Sequence, residues 1–80
     1  MKHDLKVWPS YFEAIAEGRK RFEIRDNRDR GFNAGDAVTL HEWCPTEKDY
    51  TGNFIDAKIT YVTNYNQLDN QVVFGFEVTP

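Results

Sequence analysis

Five short runs of this chain alternate apolar with polar residues, the period of a β-strand, and a single stretch has the 3.6-residue period of a helix. A fold built from such a chain must be mainly β. His3, Leu5 and Val7 alternate with Asp4, Lys6 and Trp8 in a first strand, which Pro9-Ser10 ends. Ser10-Tyr11-Phe12-Glu13 has the form of a capping box, with Ser10 as N-cap and Glu13 three residues on. Phe12, Ile15 and Ala16 then fall on one helical stripe, and Gly18 is placed to end the helix in a left-handed conformation. A helix of about two turns does not hold by itself, so packing must hold it.

From Arg21 the period returns to two, with Phe22 and Ile24 alternating with Arg21, Glu23 and Arg25. Asp26 to Arg30 is polar and turn-like, and Gly31 to Asp36 reads as a turn into the next strand. Further strands are expected over Ala37 to Trp43, Phe54 to Thr63 and Gln71 to Thr79, separated by loops at Cys44 to Asn53 and Asn64 to Asn70. Val38 and Leu40 share a face in the first of these. Ile55, Ala57, Ile59 and Tyr61 do so in the second, and Val72, Phe74, Phe76 and Val78 in the third. Gly75 falls on the other face of the last strand, where a bulge or a close backbone approach fits. Strands joined by loops are expected to be antiparallel neighbours. Closing the sheet as a small barrel, with the helix plugging one opening, would bury the apolar faces and remove free edges. The expected fold is therefore mainly β (α+β), a barrel of five to six strands with one or two short helices.

A chain of 80 residues is one domain, 1–80, with a modest core. No apolar run approaches the roughly 18 residues that cross a membrane. The start, Met1-Lys2-His3-Asp4-Leu5, lacks the apolar core of a secretory signal. The single cysteine, Cys44, excludes an internal disulfide framework and a multi-cysteine metal site. These features lead us to expect a cytoplasmic protein without a membrane partner.

The net charge of -3 argues against indiscriminate coating of nucleic acid or acidic lipid. Its distribution is uneven. Arg19 to Arg30 holds six basic residues (Arg19, Lys20, Arg21, Arg25, Arg28 and Arg30) against Glu23, Asp26 and Asp29, a charge of +3. The remainder carries four basic against ten acidic residues, or -6. One end of the molecule can be cationic while the whole is acidic, although a charge run is more often a solvated face.

Inside that segment Gly18-Arg19-Lys20-Arg21-Phe22-Glu23-Ile24-Arg25 has the form G-x-K-x-x-E-x-R, at a helix end running into a strand, and Gly35-Asp36 follows about ten residues later. In this order the chain resembles the activating-signal-cointegrator homology (ASCH) domain of the PUA-like superfamily. More narrowly, it resembles a short bacterial and phage family of unknown function within that group. Leu5-Lys6, Trp8-Pro9, Tyr11-Phe12, Asp29-Arg30, Glu42-Trp43, Tyr50-Thr51-Gly52 and Ile59-Thr60-Tyr61-Val62 extend the resemblance over nearly the whole chain. It implies a β-barrel of five or six strands with a helix beside it, and a cleft next to the motif that binds RNA. Some bacterial members are amidohydrolases that deacylate N4-acetylcytidine, and they resemble this chain at Lys20. They carry a threonine where Glu23 stands, and a catalytic glutamate in a helical insertion where this chain has Asn64 to Asn70.

The residues themselves suit such a ligand. Glu23 and Arg25, two apart on a strand, lie on one face about 6.5–7 Å apart, and Lys20 enters from the helix end. A guanidinium grips a phosphate or a carbonyl edge, and a carboxylate accepts from an exocyclic amine such as that of cytosine. The lysine supplies a point charge, or a base if burial neutralises it; the alternative is that Lys20, Glu23 and Arg25 form an ion network that only closes the barrel. Arg28 and Arg30 would extend the track to backbone phosphates, unless they are turn residues paired with Asp26 and Asp29. Trp43, Phe32, Tyr50 and Tyr65 are either stacking surfaces or core.

His41 and Cys44, three apart on a strand, would face opposite ways, which opposes a catalytic pair. Two scattered histidines and one cysteine do not make a zinc site, and no phosphate-cradling glycine motif is present, so no metal or cofactor is expected. The leading expectation is a module that binds RNA, a nucleotide or a modified base through Lys20, Glu23, Arg25, Arg28 and Arg30. The rivals are a small amidohydrolase acting on N4-acylated cytidine, with Lys20 as catalytic residue, and a protein-interaction adaptor using the loop Thr46 to Asn53.

Overall fold

The alternating runs pair into one sheet. The computed structural model describes residues 1–27 and 31–79. The elements, in order, are β1 (Lys2–Val7), α1 (Pro9–Ala16), β2 (Phe22–Asp26), β3 (Ala37–Cys44), β4 (Asp49–Thr63) and β5 (Gln71–Val78). The sheet order is β1-β3-β4-β5-β2. β1 runs parallel to β3, and the β3–β4, β4–β5 and β5–β2 pairs are antiparallel, as expected for the later strands. The sheet curls into a half-barrel around a core of Val38, Leu40, Ile59 and Phe74, with Ile15 of α1 fully buried against it.

Among the described residues, no ladder closes the barrel. β1 and β2 are the two edges of the sheet, joined through α1 rather than paired to each other. The two strands belong to opposite ends of the strand order, so a seam is left between them.

Three local expectations are corrected. The helix begins at Pro9, with Trp8 as N-cap and no side-chain cap bond, so Ser10 lies inside the first turn and the capping box does not form. Proline suits that first position because its φ is already helical and its missing N–H would be unpaired anyway. The loop placed at Cys44 to Asn53 is mostly strand, because the β3–β4 ladder runs out to Cys44 and Asp49. Thr51 Oγ1 and Asn53 Nδ2 both donate to Glu42 Oε1, at 2.7 and 3.1 Å, so this polar hairpin is held by side-chain bonds that alternation does not reveal. Tyr61 does not share the face of Ala57 and Ile59. A register shift between Ile59 and Tyr61 inserts one residue, turning Tyr61 outward and Val62 inward.

The C-terminus of α1 behaves as the glycine suggested. Gly18 has φ +84°, its N–H donates to Ile15 O at 3.1 Å, and Arg19 N–H donates to Ala14 O at 2.9 Å. That is the Schellman pair of bonds. The reversal brings Lys20 back beside β2.

Gly35-Asp36 has a structural role. His3 Nε2 lies 2.9 Å from Asp36 Oδ2, Asn33 N–H donates to the same oxygen at 3.1 Å, and the Met1 amino group reaches Oδ1 at 3.3 Å. The His3 bond first, then Asn33 and the ammonium, hold the Asp36 carboxyl below the usual aspartate range against the opposing effect of burial. A depressed carboxyl contributes stability that is complete above the unfolded value, near pH 3.9, and is lost as pH falls through the folded value. The difference in urea midpoint between the parent and Asp36→Asn should accordingly be present at about pH 5 and shrink below about pH 4. A gap undiminished at about pH 2 would show that the charge of Asp36 contributes nothing.

Candidate functional site

β2 presents its polar residues to the concave side of the sheet. Glu23 lies opposite Phe74 and Arg25 opposite Val72, both partners buried, while Phe22 and Ile24 face outward and are about half exposed. The inward face of this edge strand overlooks the open seam at its outer flank, which is why a carboxylate and a guanidinium occupy it.

Glu23 is buried and each carboxylate oxygen has a cationic donor. Lys20 Nζ donates to Oε1 at 2.6 Å and Arg25 Nε to Oε2 at 3.2 Å. Lys20 also donates to Phe22 O at 2.6 Å, and Arg25 Nη2 donates to Lys6 O at 2.7 Å. The last bond spans the seam from β2 to β1. Together the three side chains carry a net charge of +1. Among the described residues, Lys20 keeps one N–H beyond these bonds and Arg25 keeps Nη1, while the carboxylate retains free lone pairs.

Two hollows meet at Glu23. One, about 410 Å³, lies between the end of β1 and β2 and is lined by Lys6, Trp8, Tyr11, Glu23 and Arg25 among others. The second, about 310 Å³, continues past Tyr11 to Lys20 and Phe22. Trp8 and Tyr11 are each 54% exposed, so aromatic surface is available beside the charges. The Lys20 ammonium sits 5.5 Å from the Tyr11 ring centre and 4.8 Å from that of Phe22. A groove with an ionic floor and aromatic walls can take a planar polar group. A third hollow, about 300 Å³, has Asn27, Asn64, Gln67, Asn70 and Gln71 in its lining.

Lys20, Glu23 and Arg25 are thus brought together at the junction of helix and strand. Arg28 and Arg30 lie outside the described residues. Phe32 is core, with its ring 4.6 Å from His3 and 5.0 Å from Phe74. Trp43 is half-buried under the Lys6 ammonium at 4.7 Å, and Tyr50 and Tyr65 are exposed. His41 Nε2 lies 3.0 Å from Asp4 Oδ1. Sequence reasoning missed Trp8 and Tyr11 as groove walls. Their signal was position, one at the end of a strand and one on the first turn of the helix leading to the motif.

Residues 2–76 match the model of the family described as "Domain of unknown function (DUF3850)". The chain is also 40% identical over 62 residues to the "Uncharacterized 12.9 kDa protein in GpA 3'region" of Escherichia phage P2, covering 78% of this chain and 54% of that protein. It therefore spans about half the length of this curated relative. With nearly its whole length matched, from the first strand through most of the last, the chain belongs to the DUF3850 family.

Proposed function

We propose that this half-barrel is a PUA-like module of the ASCH type that binds RNA, a nucleotide or a modified base in the groove at the G-x-K-x-x-E-x-R motif. The observation that carries the reading is Glu23, buried at the groove floor between Lys20 and Arg25 and flanked by the exposed rings of Trp8 and Tyr11. The carboxylate lone pairs complement an exocyclic amine, the remaining N–H groups complement ring acceptors or phosphate, and the aromatic walls complement a base face. A cytoplasmic setting belongs to the same proposal. Among the described residues no helix is long and apolar enough to cross a membrane.

A fluorescence titration with cytidine monophosphate and with a short single-stranded RNA at low salt tests it. Lys20→Ala and Arg25→Ala should each weaken binding about tenfold or more. Undiminished affinity in both variants, or no binding by the parent, overturns the reading. The second reading is an amidohydrolase in which Lys20, placed in the groove by its 2.6 Å contact with Glu23, is the reacting residue. Cytidine released from N4-acetylcytidine by the parent but not by Lys20→Ala would establish that second reading.

A further inference from the structure

The outer face of the sheet carries an aromatic row that begins at Phe22, on the rim of the second hollow, and runs on beyond the groove. Phe22 of β2 and Tyr61 of β4 both lie opposite Gly75 of the intervening β5. Cross-strand partners share a face, so two rings stand on either side of a residue with no side chain, about 9.5 Å apart at their backbones. Phe22 is 47% exposed and Tyr61 68%. The bulge between Ile59 and Tyr61 is what brings the tyrosine onto this face.

The glycine is not demanded by packing. A Cβ at Gly75 would meet Arg21 O and Thr60 Oγ1 at 3.7 Å, ordinary contacts, and its φ is not positive. Glycine inside a strand is nevertheless unfavourable by about 0.5–1 kcal/mol relative to alanine. What it supplies here is a flat trough between two aromatic rings.

The trough adjoins the groove through Lys20, whose ammonium touches Glu23 at 2.6 Å and lies 4.8 Å from the Phe22 ring centre. Lys20 and Arg21 precede Phe22 directly; Arg21 Nη1 donates to Ile15 O at 2.9 Å and keeps its charge, whereas Arg19 before them is paired with Glu17 at 2.7 Å. Cations beside exposed rings match a strand whose phosphates run along the edge while its bases stack. A second copy on this face would bring Lys20 and Arg21 toward their own counterparts, which disfavours it as occupant.

We propose that a single-stranded RNA passes from the groove over Lys20 and lays unpaired bases on Phe22 and Tyr61 on either side of Gly75. This rests on the groove being a nucleotide site and extends it from one nucleotide to a strand.

The test compares cytidine monophosphate with a labelled single-stranded RNA octamer on the full chain. The octamer should bind more tightly than the mononucleotide. Tyr61→Ala, at a ring remote from Glu23, should weaken octamer binding roughly 5- to 140-fold and leave the mononucleotide unchanged. Tyr61→Phe should retain octamer affinity, and Gly75→Val, which fills the trough with a strand-favouring side chain, should lower it. Mononucleotide binding with an octamer affinity indifferent to Tyr61→Ala and Gly75→Val overturns the platform and leaves the groove standing. Failure of the parent to bind either probe overturns both. Self-association lost in Tyr61→Ala, with the octamer unaffected, would assign the face to a second copy and overturn the RNA path. Circular dichroism of each variant separates these outcomes from unfolding.

Discussion

Phe74→Ala is expected to remove most of the stability of this domain. Phe74 is fully buried and central to the sheet, lying opposite Val62 on β4 and Glu23 on β2, with its ring 5.0 Å from Phe32 and 6.3 Å from Phe76. Truncating a phenylalanine in such a site costs about 3–5 kcal/mol, because apolar transfer energy is lost and the cavity is only partly refilled. A domain of this length is stable by roughly 4–12 kcal/mol in total. Thermal unfolding followed by circular dichroism should show a fall of at least about 12 °C, or no folded state at all. Phe74→Leu, which keeps most of the volume, should lose distinctly less. A loss below about 1 kcal/mol for Phe74→Ala would mean that the core does not converge on this ring. The same residue links stability to the site, since Glu23 is its cross-strand neighbour and its position depends on β2 packing there.

The parts of the fold that follow from strand period were legible in the sequence. β1, β3 and β5 bury the alternating residues that the pattern singles out: Leu5 and Val7, Val38 and Leu40, and Val72, Phe74 and Phe76. Gly18 marked the end of the helix for a stereochemical reason that needs no tertiary context. The start of β4 was hidden because Asp49 to Asn53 is polar apart from Tyr50, so alternation carries no signal there and Glu42 supplies the order. The phase change at Thr60 was hidden because a bulge is a property of two paired strands rather than one. Closure was overestimated, since a sequence specifies faces, whereas the seam between β1 and β2 follows from the strand order.

For the site, the grouping of Lys20, Glu23 and Arg25 was legible from strand spacing and the helix terminus. Which side of β2 they occupy was not. On an ordinary half-buried strand Phe22 and Ile24 would go inward and the charged residues outward. Here the polarity is inverted, because the concave side of β2 adjoins the open seam and Lys6 O supplies an acceptor across it. The inverted strand leaves two apolar side chains outside and a carboxylate inside, and both halves of the functional reading descend from that inversion.

Glu23→Ala is the variant that separates recognition from simple attraction. Without the carboxylate, Lys20 keeps Phe22 O and Arg25 keeps Lys6 O, so both cations remain anchored at the groove. The local charge rises from +1 to +2, which strengthens the pull on phosphate at low salt. The acceptor for an exocyclic amine is gone, and a hydrogen bond to a charged group contributes about 1.5–3 kcal/mol. Affinity for cytidine monophosphate should therefore fall about 10- to 140-fold while inorganic phosphate binds no worse, a divergence that unfolding cannot produce. Stability should fall by about 1–3 kcal/mol through the lost tie across Lys20 and Arg25. Glu23→Gln keeps one carbonyl acceptor and should lie between the two. Equal loss of nucleotide and phosphate binding would identify Glu23 as a clamp that only positions the cations. Unchanged binding of both, with the stability loss alone, would make the triad an ion network that fastens β2 to the helix end, and the aromatic walls would then have no charged floor to serve.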